Sequence, residues 1–342
     1  MDTTGNPYTE KYLILAQELM RRIYADMEPD ELHNWLMSQV NKLATHEGEG
    51  AALTWLESFP YYDALLEKRA QKASMPESER GELLWAWTTW NQRIDPLEPG
   101  LLAVIAAGDG MGKTIYCESL AEHWVKNGKK VAFVHFELNR AIMLDRRAAR
   151  YSGMNRRTLK QGPFNAQLYR QWQEARDILK TWPGNMTYWH TPGWSMEKVT
   201  AALEPDIDAG NCDVIVIDYL EKAQPSTRQQ KMYGANKWQR EADDVEWIKT
   251  FAERTETPVL LLAQMSKAGK SASFESLDRT AIRGAGEKTE KANIVVLLNR
   301  EKRDDGYAPV VDVRIDKNTL GPTGNFQQFM EGEFFRVGDM QV

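Results

Sequence analysis

Eight residues, AGDGMGKT at positions 107–114, have the spacing of a phosphate-binding loop. The run before them, LLAVIA, has the length and composition of a buried parallel strand. In such a loop, backbone N–H groups surround the phosphates of a nucleotide, and the following helix adds its positive N-terminal end. The residues that we predict to bind the nucleotide are Gly108, Asp109, Gly110, Met111, Gly112, Lys113 and Thr114.

Two residues of this loop have side chains suited to the reaction itself. Lys113 is expected to contact the terminal phosphates, and the Thr114 hydroxyl is expected to bind Mg²⁺. The strict pattern starts with Gly, whereas this chain has Ala107, so a fortuitous glycine-rich turn is the alternative. The strand before the loop and the helix pattern after it favour nucleotide binding.

Three further β-rich runs end in a polar side chain. They are KVAFVHFE, VIVID and VLLLAQ, which end at Glu137, Asp218 and Gln264. Ligands of parallel sheets bind beyond the carboxyl ends of the strands, so these side chains should face the phosphate loop. We predict that Glu137 activates the attacking water, Asp218 organises the Mg²⁺ shell and Gln264 contacts the terminal phosphate. The alternatives are a charge at a helix N-terminus for Glu137 and a turn cap for Gln264.

Composition limits the classes of protein to consider. The 342 residues are 42% hydrophobic and 27% charged, with a net charge of −6, so any nucleic-acid site must be local. No apolar run approaches the roughly 20 residues that span a bilayer, and the N-terminus lacks a secretory signal, so we expect a cytoplasmic protein without membrane contact. Cys117 and Cys212 stand far apart, which excludes a disulfide framework and disfavours a zinc site.

The pattern of elements predicts two parts. Helical patterns alone occupy the first part, over about 9–24, 30–46, 50–73 and 77–87, whereas strands alternate with helices in the second. We therefore predict a small all-α region at 1–85, followed by an α/β domain with a mainly parallel sheet at 86–342. Several tryptophans are expected to fill a helical core or a subunit contact rather than stack on bases: Trp35, Trp55, Trp85, Trp87 and Trp90.

The order of motifs resembles one known family. The segments CDVIVIDYLEKA, LLLAQMSK, TAIRGAGEKTEKANIVVLLNRE and RIDKNTLGPTG, in this order, are similar to the ATPase domain of DnaB-type replicative helicases. The resemblance covers about 87–337 and implies a RecA-like core that uses ATP and Mg²⁺. It also implies a homohexameric ring on single-stranded DNA. The Trp content of the N-terminal helices suggests a subunit collar or a docking surface for a primase, polymerase or loader.

The resemblance also implies where DNA is bound. The family grips the phosphate backbone with the segment that here contains Arg283, Gly284 and Gly286. Lys267, Lys270 and Arg279 would add positive charge in the same channel, the alternative being a solvated loop. The polar segment 221–238 is a second candidate DNA-binding loop, predicted to be long and to be mobile when no DNA is bound.

One position departs from the family. The resemblance implies that Lys317 is supplied to the ATP of the neighbouring subunit, with an arginine finger two residues later, where this chain has Thr319. Such an arginine contributes a factor of about 10³–10⁵ to phosphoryl transfer. Either turnover is slow or another arginine substitutes. The candidates are Arg300, Arg303 and Arg314.

Three functions are compatible with these features. The first, which we favour, is an ATP-driven ring that moves on single-stranded DNA and unwinds duplex. The second is an ATP-dependent assembly protein that holds DNA with little or no unwinding, which Thr319 favours. The third is a nucleotide-dependent regulator that binds a protein through the Trp-rich helices without contacting DNA.

Overall fold

A computed structural model describes most of the chain from Trp55 onward. The described residues are 16, 19, 55–56, 58–76, 79–162, 165–266, 274, 277–282, 289–304 and 306–340. Of the predicted helix at 9–24, only Ala16 and Leu19 are described, both helical, and the predicted helix at 30–46 lies outside the described residues. No helix within the described ranges is long and apolar enough to cross a membrane.

The chain forms two compact units, 1–80 and 81–342. In the first unit, helix α1 spans Phe59–Ser74, so it begins later than the helix predicted at 50–73. The side chains of Phe59, Tyr62 and Leu66 are exposed on α1.

A nine-stranded sheet organises the second unit. Its strands are β1 Leu102–Ala107, β2 Lys130–His135, β3 Asn185–His190, β4 Val214–Asp218, β5 Val259–Gln264, β6 Ile294–Asn299, β9 Val310–Asn318, β10 Gly324–Glu331 and β11 Arg336–Asp339. The spatial order is β11-β10-β9-β6-β1-β5-β4-β2-β3. The six strands from β6 to β3 are parallel, and β9, β10 and β11 continue the sheet antiparallel. The predicted α/β class with a mainly parallel sheet is confirmed.

Helices cover both faces of this sheet. They are α2 Thr88–Asn91, α3 Lys113–Lys126, α4 Arg140–Ser152, α5 Arg156–Gln161, α6 Ala166–Lys180, α7 Met196–Asp208, α8 Thr227–Tyr233 and α9 Lys237–Arg254. A short hairpin of β7 Lys302–Arg303 and β8 Gly306–Tyr307 stands apart from the main sheet. Strand β1 is buried along its whole length, with alternate side chains in the two core layers. Continuous apolar runs are what a sheet covered on both faces requires.

Residues before β1 differ from the sequence prediction. The helix expected at 77–87 is wrong, since residues 81–85 have no helical structure and only α2 follows. Trp85, Trp87 and Trp90 do not fill a separate helical core. They are buried in the core of the second unit, where Trp87 and Trp90 pack against Tyr116 of α3. Each of the three indole N–H groups donates to a protein acceptor at 2.8–3.0 Å, as buried indoles require.

The segment 221–238, predicted as a long loop that is mobile without DNA, contains helical structure. It contains α8, whose N-terminus has a capping box formed by Ser226 and Gln229. Arg228 on α8 forms ion pairs with Glu197 on α7, at 2.6 Å, and with Asp243 on α9. These contacts fix α8 against two longer helices.

Asp244 on α9 is a buried acid that makes stability depend on pH. Burial raises its pKa to about 7, assisted by neighbouring acids and opposed by a hydrogen bond from Gln229. Because the folded chain binds this proton more tightly than the unfolded chain, the stabilising contribution is lost as pH rises from about 4 to about 7. Asp244→Asn should therefore raise the free energy of unfolding by about 1–3 kcal/mol at pH 8, and by less at pH 5.

Asp243→Asn is the matched control, measured by urea denaturation at both pH values. Although burial raises the pKa of Asp243, its bonds from Arg228 lower it overall, so this carboxylate stabilises the fold when ionised. Asp243→Asn should destabilise the protein at pH 8. Equal effects of the two substitutions would contradict the assignment.

Candidate nucleotide-binding site

The phosphate loop connects β1 to α3 at the carboxyl edge of the sheet. Gly110 and Gly112 have φ of 74° and 101°, in the left-handed region that favours glycine. A Cβ on Gly112 would also lie 2.4 Å from Cε of Met330 on β10. These glycines therefore serve both the turn and the close packing around it. The strand–loop–helix context predicted for 107–114 is the one that the structure has.

Lys113 begins α3 and turns back over the loop. Its Nζ donates to the carbonyl oxygens of Ala107, at 2.8 Å, and Gly108, at 3.1 Å. On the other side, the hydroxyl of Tyr307 on β8 donates to the Asp109 carbonyl at 2.9 Å. The ammonium group thus lies at the centre of the loop, where a phosphate would meet it.

Asp218 ends β4, two strands from β1, and is 4% exposed. Burial raises the pKa of its carboxyl to about 6, against a hydrogen bond from the Thr114 hydroxyl that lowers it. Its Oδ1 is buried and has no hydrogen-bond partner among the described residues. A carboxylate oxygen without a partner beside a hydroxyl is a fitting pair of ligands for Mg²⁺.

A Mg²⁺ ion at this position would need few ligands from the protein. Within the described ranges, no group of three or more His, Cys, Asp or Glu side chains is placed to hold a metal ion. Mg²⁺ commonly takes one or two protein ligands, with phosphate oxygens and waters completing its shell. Thr114 and Asp218 therefore fit a metal that arrives with the nucleotide.

Glu137 lies two residues beyond the end of β2, beside the segment that follows β4. The Tyr219 hydroxyl donates to its Oε2 at 3.1 Å, and Lys222 Nζ lies 3.5 Å from the same oxygen. Burial and the Glu137 charge raise the pKa of Tyr219, so its hydroxyl remains a donor. The side chain of Glu137 is 53% exposed. Asn139 caps α4, because its side chain accepts from the Ile142 N–H at 3.1 Å.

Gln264 ends β5, the strand between β1 and β4. Its backbone N–H donates to Glu221 Oε1 at 3.1 Å, and its side-chain Nε2 donates to Asp109 Oδ1. The structure therefore brings Gln264 to the phosphate loop, as predicted from its strand-end position. Glu221, Tyr219 and Tyr307 also belong to this site, although the sequence analysis assigned them no role there.

Lys317 lies away from the phosphate loop of its own chain. Lys317 on β9 is paired with Val295 on β6, and Val295 is paired with Val104 on β1. The phosphate loop begins only after Ala107, three residues further along β1. The Lys317 Nζ donates to two backbone carbonyls, those of Thr289 at 3.0 Å and Glu290 at 2.6 Å. The structure thus does not bring Lys317 together with Lys113 within one chain.

The three candidate substitutes for an arginine finger have partners in their own chain. Arg300 is buried and donates to the Ala308 carbonyl at 2.7 Å. Arg314 donates to the Leu277 carbonyl and packs over Phe274. Arg303 pairs with Glu301 at 3.0 Å on the exposed β7–β8 hairpin. Like Lys317, each would have to leave these partners to reach the nucleotide of a neighbouring subunit.

Most of the predicted DNA-binding residues lie outside the described residues, namely Lys267, Lys270, Arg283, Gly284 and Gly286. Arg279 is described, and its Nε lies 3.5 Å from Asp316 Oδ2. The Ser266 N–H donates to the Ala281 carbonyl at 2.8 Å, and Met265 forms a β-bridge with Ile282. The segment that precedes Arg283 is thus anchored directly beside the end of β5.

A phosphate loop after a central parallel strand, with Asp218 at the end of a second strand, defines a P-loop nucleotide-binding domain with a RecA-like fold. Residues 86–339 match the family described as DnaB-like helicase C terminal domain. This match spans most of the chain, which therefore belongs to that family.

Known relatives are consistent with this assignment. The chain is 24% identical over 230 residues to the replicative DNA helicase DnaB of Geobacillus stearothermophilus, covering 66% of this chain and 49% of the relative. It is 23% identical over 287 residues to DnaB of Mycoplasma pneumoniae, covering 78% and 59%. The chain therefore spans about half the length of these relatives.

The fold is also that of a solved structure described as a DnaB-like replicative helicase and its interactions with primase. The two superpose with a TM-score of 0.71 at 16% identity, over 97% of this chain and 76% of the other. At this identity the likeness establishes the fold.

Lys113→Ala should weaken binding of MgATP about 10- to 100-fold, because it removes charge-assisted bonds to the phosphates. Isothermal titration calorimetry measures the affinity. Lys126→Ala is the control, since Lys126 is the exposed last residue of the same helix. Unchanged affinity in the Lys113 variant would overturn the assignment of the phosphate loop.

Proposed function

We propose that this chain contains the ATPase motor of a ring-forming DNA helicase that moves along single-stranded DNA during replication. The observation that carries the proposal is the meeting of Lys113, Asp218 and Glu137 at one edge of the sheet, in a chain of the DnaB-like family. The relatives named replicative DNA helicases favour this function over a scaffold without unwinding.

Nucleotide binding follows from the loop and the two strand ends. The N–H groups of residues 108–112 surround the phosphates, and Lys113 contacts the terminal ones. Thr114 and Asp218 would hold Mg²⁺, which supplies positive charge to the phosphate oxygens when bound. The buried Asp218 carboxyl, already paired with Thr114, needs little rearrangement for this role.

Hydrolysis is assigned to Glu137. Its two contacts, from Tyr219 and Lys222, fall on Oε2 and fix the carboxylate through that oxygen. We assign Oε1 to the attacking water, which it would orient and from which it would accept a proton. Gln264 would then contact the terminal phosphate and lose that contact after cleavage.

The position of Lys317 supports a site shared between subunits. Because Lys317 lies about three residues, roughly 10 Å, short of its own loop along the strand direction, it is better placed to serve a neighbour's nucleotide. We propose a homohexamer with ATP between subunits. Residues 86–342 would form this ATPase domain, and the helical region 1–85 a collar or a docking surface for a primase, polymerase or loader.

The second candidate function, ATP-dependent assembly on DNA, is favoured by one residue, Thr319. Steady-state ATPase with and without single-stranded DNA, followed with light scattering, separates the two. DNA-stimulated hydrolysis in a particle of about six subunits, together with unwinding of a forked duplex, supports the motor. Assembly with ATP but negligible hydrolysis and no unwinding would instead establish the scaffold.

Glu137→Gln should keep MgATP affinity within about twofold and lower kcat by roughly 10²–10³, since the amide cannot accept the proton from water. Glu246→Gln is a close control, because Glu246 is 52% exposed and pairs with Lys291 much as Glu137 pairs with Lys222. Hydrolysis at the wild-type rate in Glu137→Gln would assign this carboxylate a structural role.

Arg283→Ala should weaken binding of single-stranded DNA to a similar extent for all sequences, since the proposed contact is to phosphate. The slope of log affinity against log salt should fall by about one. Fluorescence anisotropy with poly-dT and mixed-sequence oligonucleotides measures both. Arg170→Ala, at an exposed arginine of α6, is the control. A loss of affinity for only some DNA sequences would contradict binding through the phosphate backbone.

A further inference from the structure

The phosphate loop carries a carboxylate, Asp109, where the ligand would bring several negative charges. Its Oδ1 accepts a hydrogen bond from Nε2 of Gln264, the side chain that ends β5. An acid at this place is chemically unusual, because it adds a like charge to a site for phosphates.

Two further contacts hold this arrangement in place. The Tyr307 hydroxyl donates to the Asp109 carbonyl at 2.9 Å, and a Cβ on Gly110 would lie 3.0 Å from the Tyr307 ring. On the other side, Glu221 Oε1 accepts the backbone N–H of Gln264 at 3.1 Å. The backbones of Asp109 and Gln264 are therefore both anchored, so the contact between them can change only through the two side chains.

The Gln264 amide thus has two competing acceptors of the same kind. A carboxylate and a terminal phosphate are both anionic oxygens, and each would form a charge-assisted hydrogen bond with Nε2. A nucleoside diphosphate can enter the loop while Gln264 stays on Asp109. A nucleoside triphosphate displaces Asp109 when its terminal phosphate takes the N–H that Asp109 accepts, which is one of the two on Nε2.

We propose that Asp109 is a specificity-determining residue of the nucleotide site, which competes with the terminal phosphate for the Gln264 amide and so sets the discrimination between nucleoside triphosphate and diphosphate. The proposal rests on the proposed nucleotide site. Breaking the Asp109–Gln264 contact costs part of the free energy that the triphosphate gains on binding. The diphosphate leaves this contact in place and avoids that cost.

Two variants separate the contact from the charge. Asp109→Ala removes both, so it should raise the affinity for magnesium–ATPγS about three- to tenfold more than the affinity for MgADP. Asp109→Asn removes the charge and keeps an acceptor oxygen for Gln264. It should therefore raise both affinities, with a smaller change in their ratio than Asp109→Ala gives.

A double-mutant cycle tests the pairing itself. In a Gln264→Ala background, Asp109→Ala should no longer change the ratio of ATPγS to ADP affinity, because the competed group is gone. Isothermal titration calorimetry with the full chain gives each affinity without turnover. Asp177→Asn, at an exposed acid of α6, controls for the loss of one negative charge elsewhere.

The outcomes are distinct. If the wild-type chain binds neither nucleotide, the proposed nucleotide site itself fails. If the wild type binds both and Asp109→Ala leaves the ratio unchanged, the site stands and the competition is refuted. An Asp109→Ala effect on the ratio that persists in the Gln264→Ala background would also refute it, since the carboxylate would then act by charge alone.

Discussion

The relative position of the two helices that flank the proposed nucleotide site depends on a buried cluster of ion pairs. Arg150, near the end of α4, contacts Glu122 at 2.5 Å and Glu118 at 2.6 Å, both on α3. Helix α3 begins with Lys113, and α4 follows Glu137, so the cluster ties the phosphate loop to the proposed catalytic carboxylate. Breaking a buried pair by removing one partner costs about 3–5 kcal/mol, because a charge is left uncompensated. This cost gives the two helices one mutual arrangement.

The same cluster contacts residues at both edge strands of the sheet, β11 and β3. Arg150 Nε donates to the Phe335 carbonyl at 2.6 Å, just before β11, and Arg147 donates to the Tyr188 hydroxyl on β3. Burial would lower the pKa of Arg150, but the nearby Glu122 and Glu118 raise it overall, so the guanidinium stays charged. The side chain of Arg150 thus connects α4 to α3 and to the start of β11. Strand β10 of this extension places Met330 against the phosphate loop, and the separate β7–β8 hairpin places Tyr307 there.

Local pattern predicted the parts of the site that depend on strand ends. The runs at 214–218 and 259–264 were correct to the residue, because strands buried on both faces must be continuously apolar. Asp218 and Gln264 could then be placed beside the loop by one rule, that carboxyl ends of parallel strands share an edge. The sequence contained no comparable pattern from which the tertiary contacts could be predicted. Trp85 and Trp90 fit the pattern of an amphipathic helix equally well. Glu221 and Tyr307 contact the site through tertiary packing, which local pattern does not indicate.

The site is built mostly of groups that already have protein partners. Lys113 is bonded to loop carbonyls, Gln264 to Asp109 and Glu137 to Tyr219 and Lys222. A phosphate therefore has to exchange one set of hydrogen bonds for another, rather than fill a set of unsatisfied donors. Because Gln264 is followed at once by the bridge between Met265 and Ile282, any exchange at its amide acts next to the segment that leads to Arg283. The end of β5 therefore connects the proposed nucleotide site to the segment that precedes Arg283.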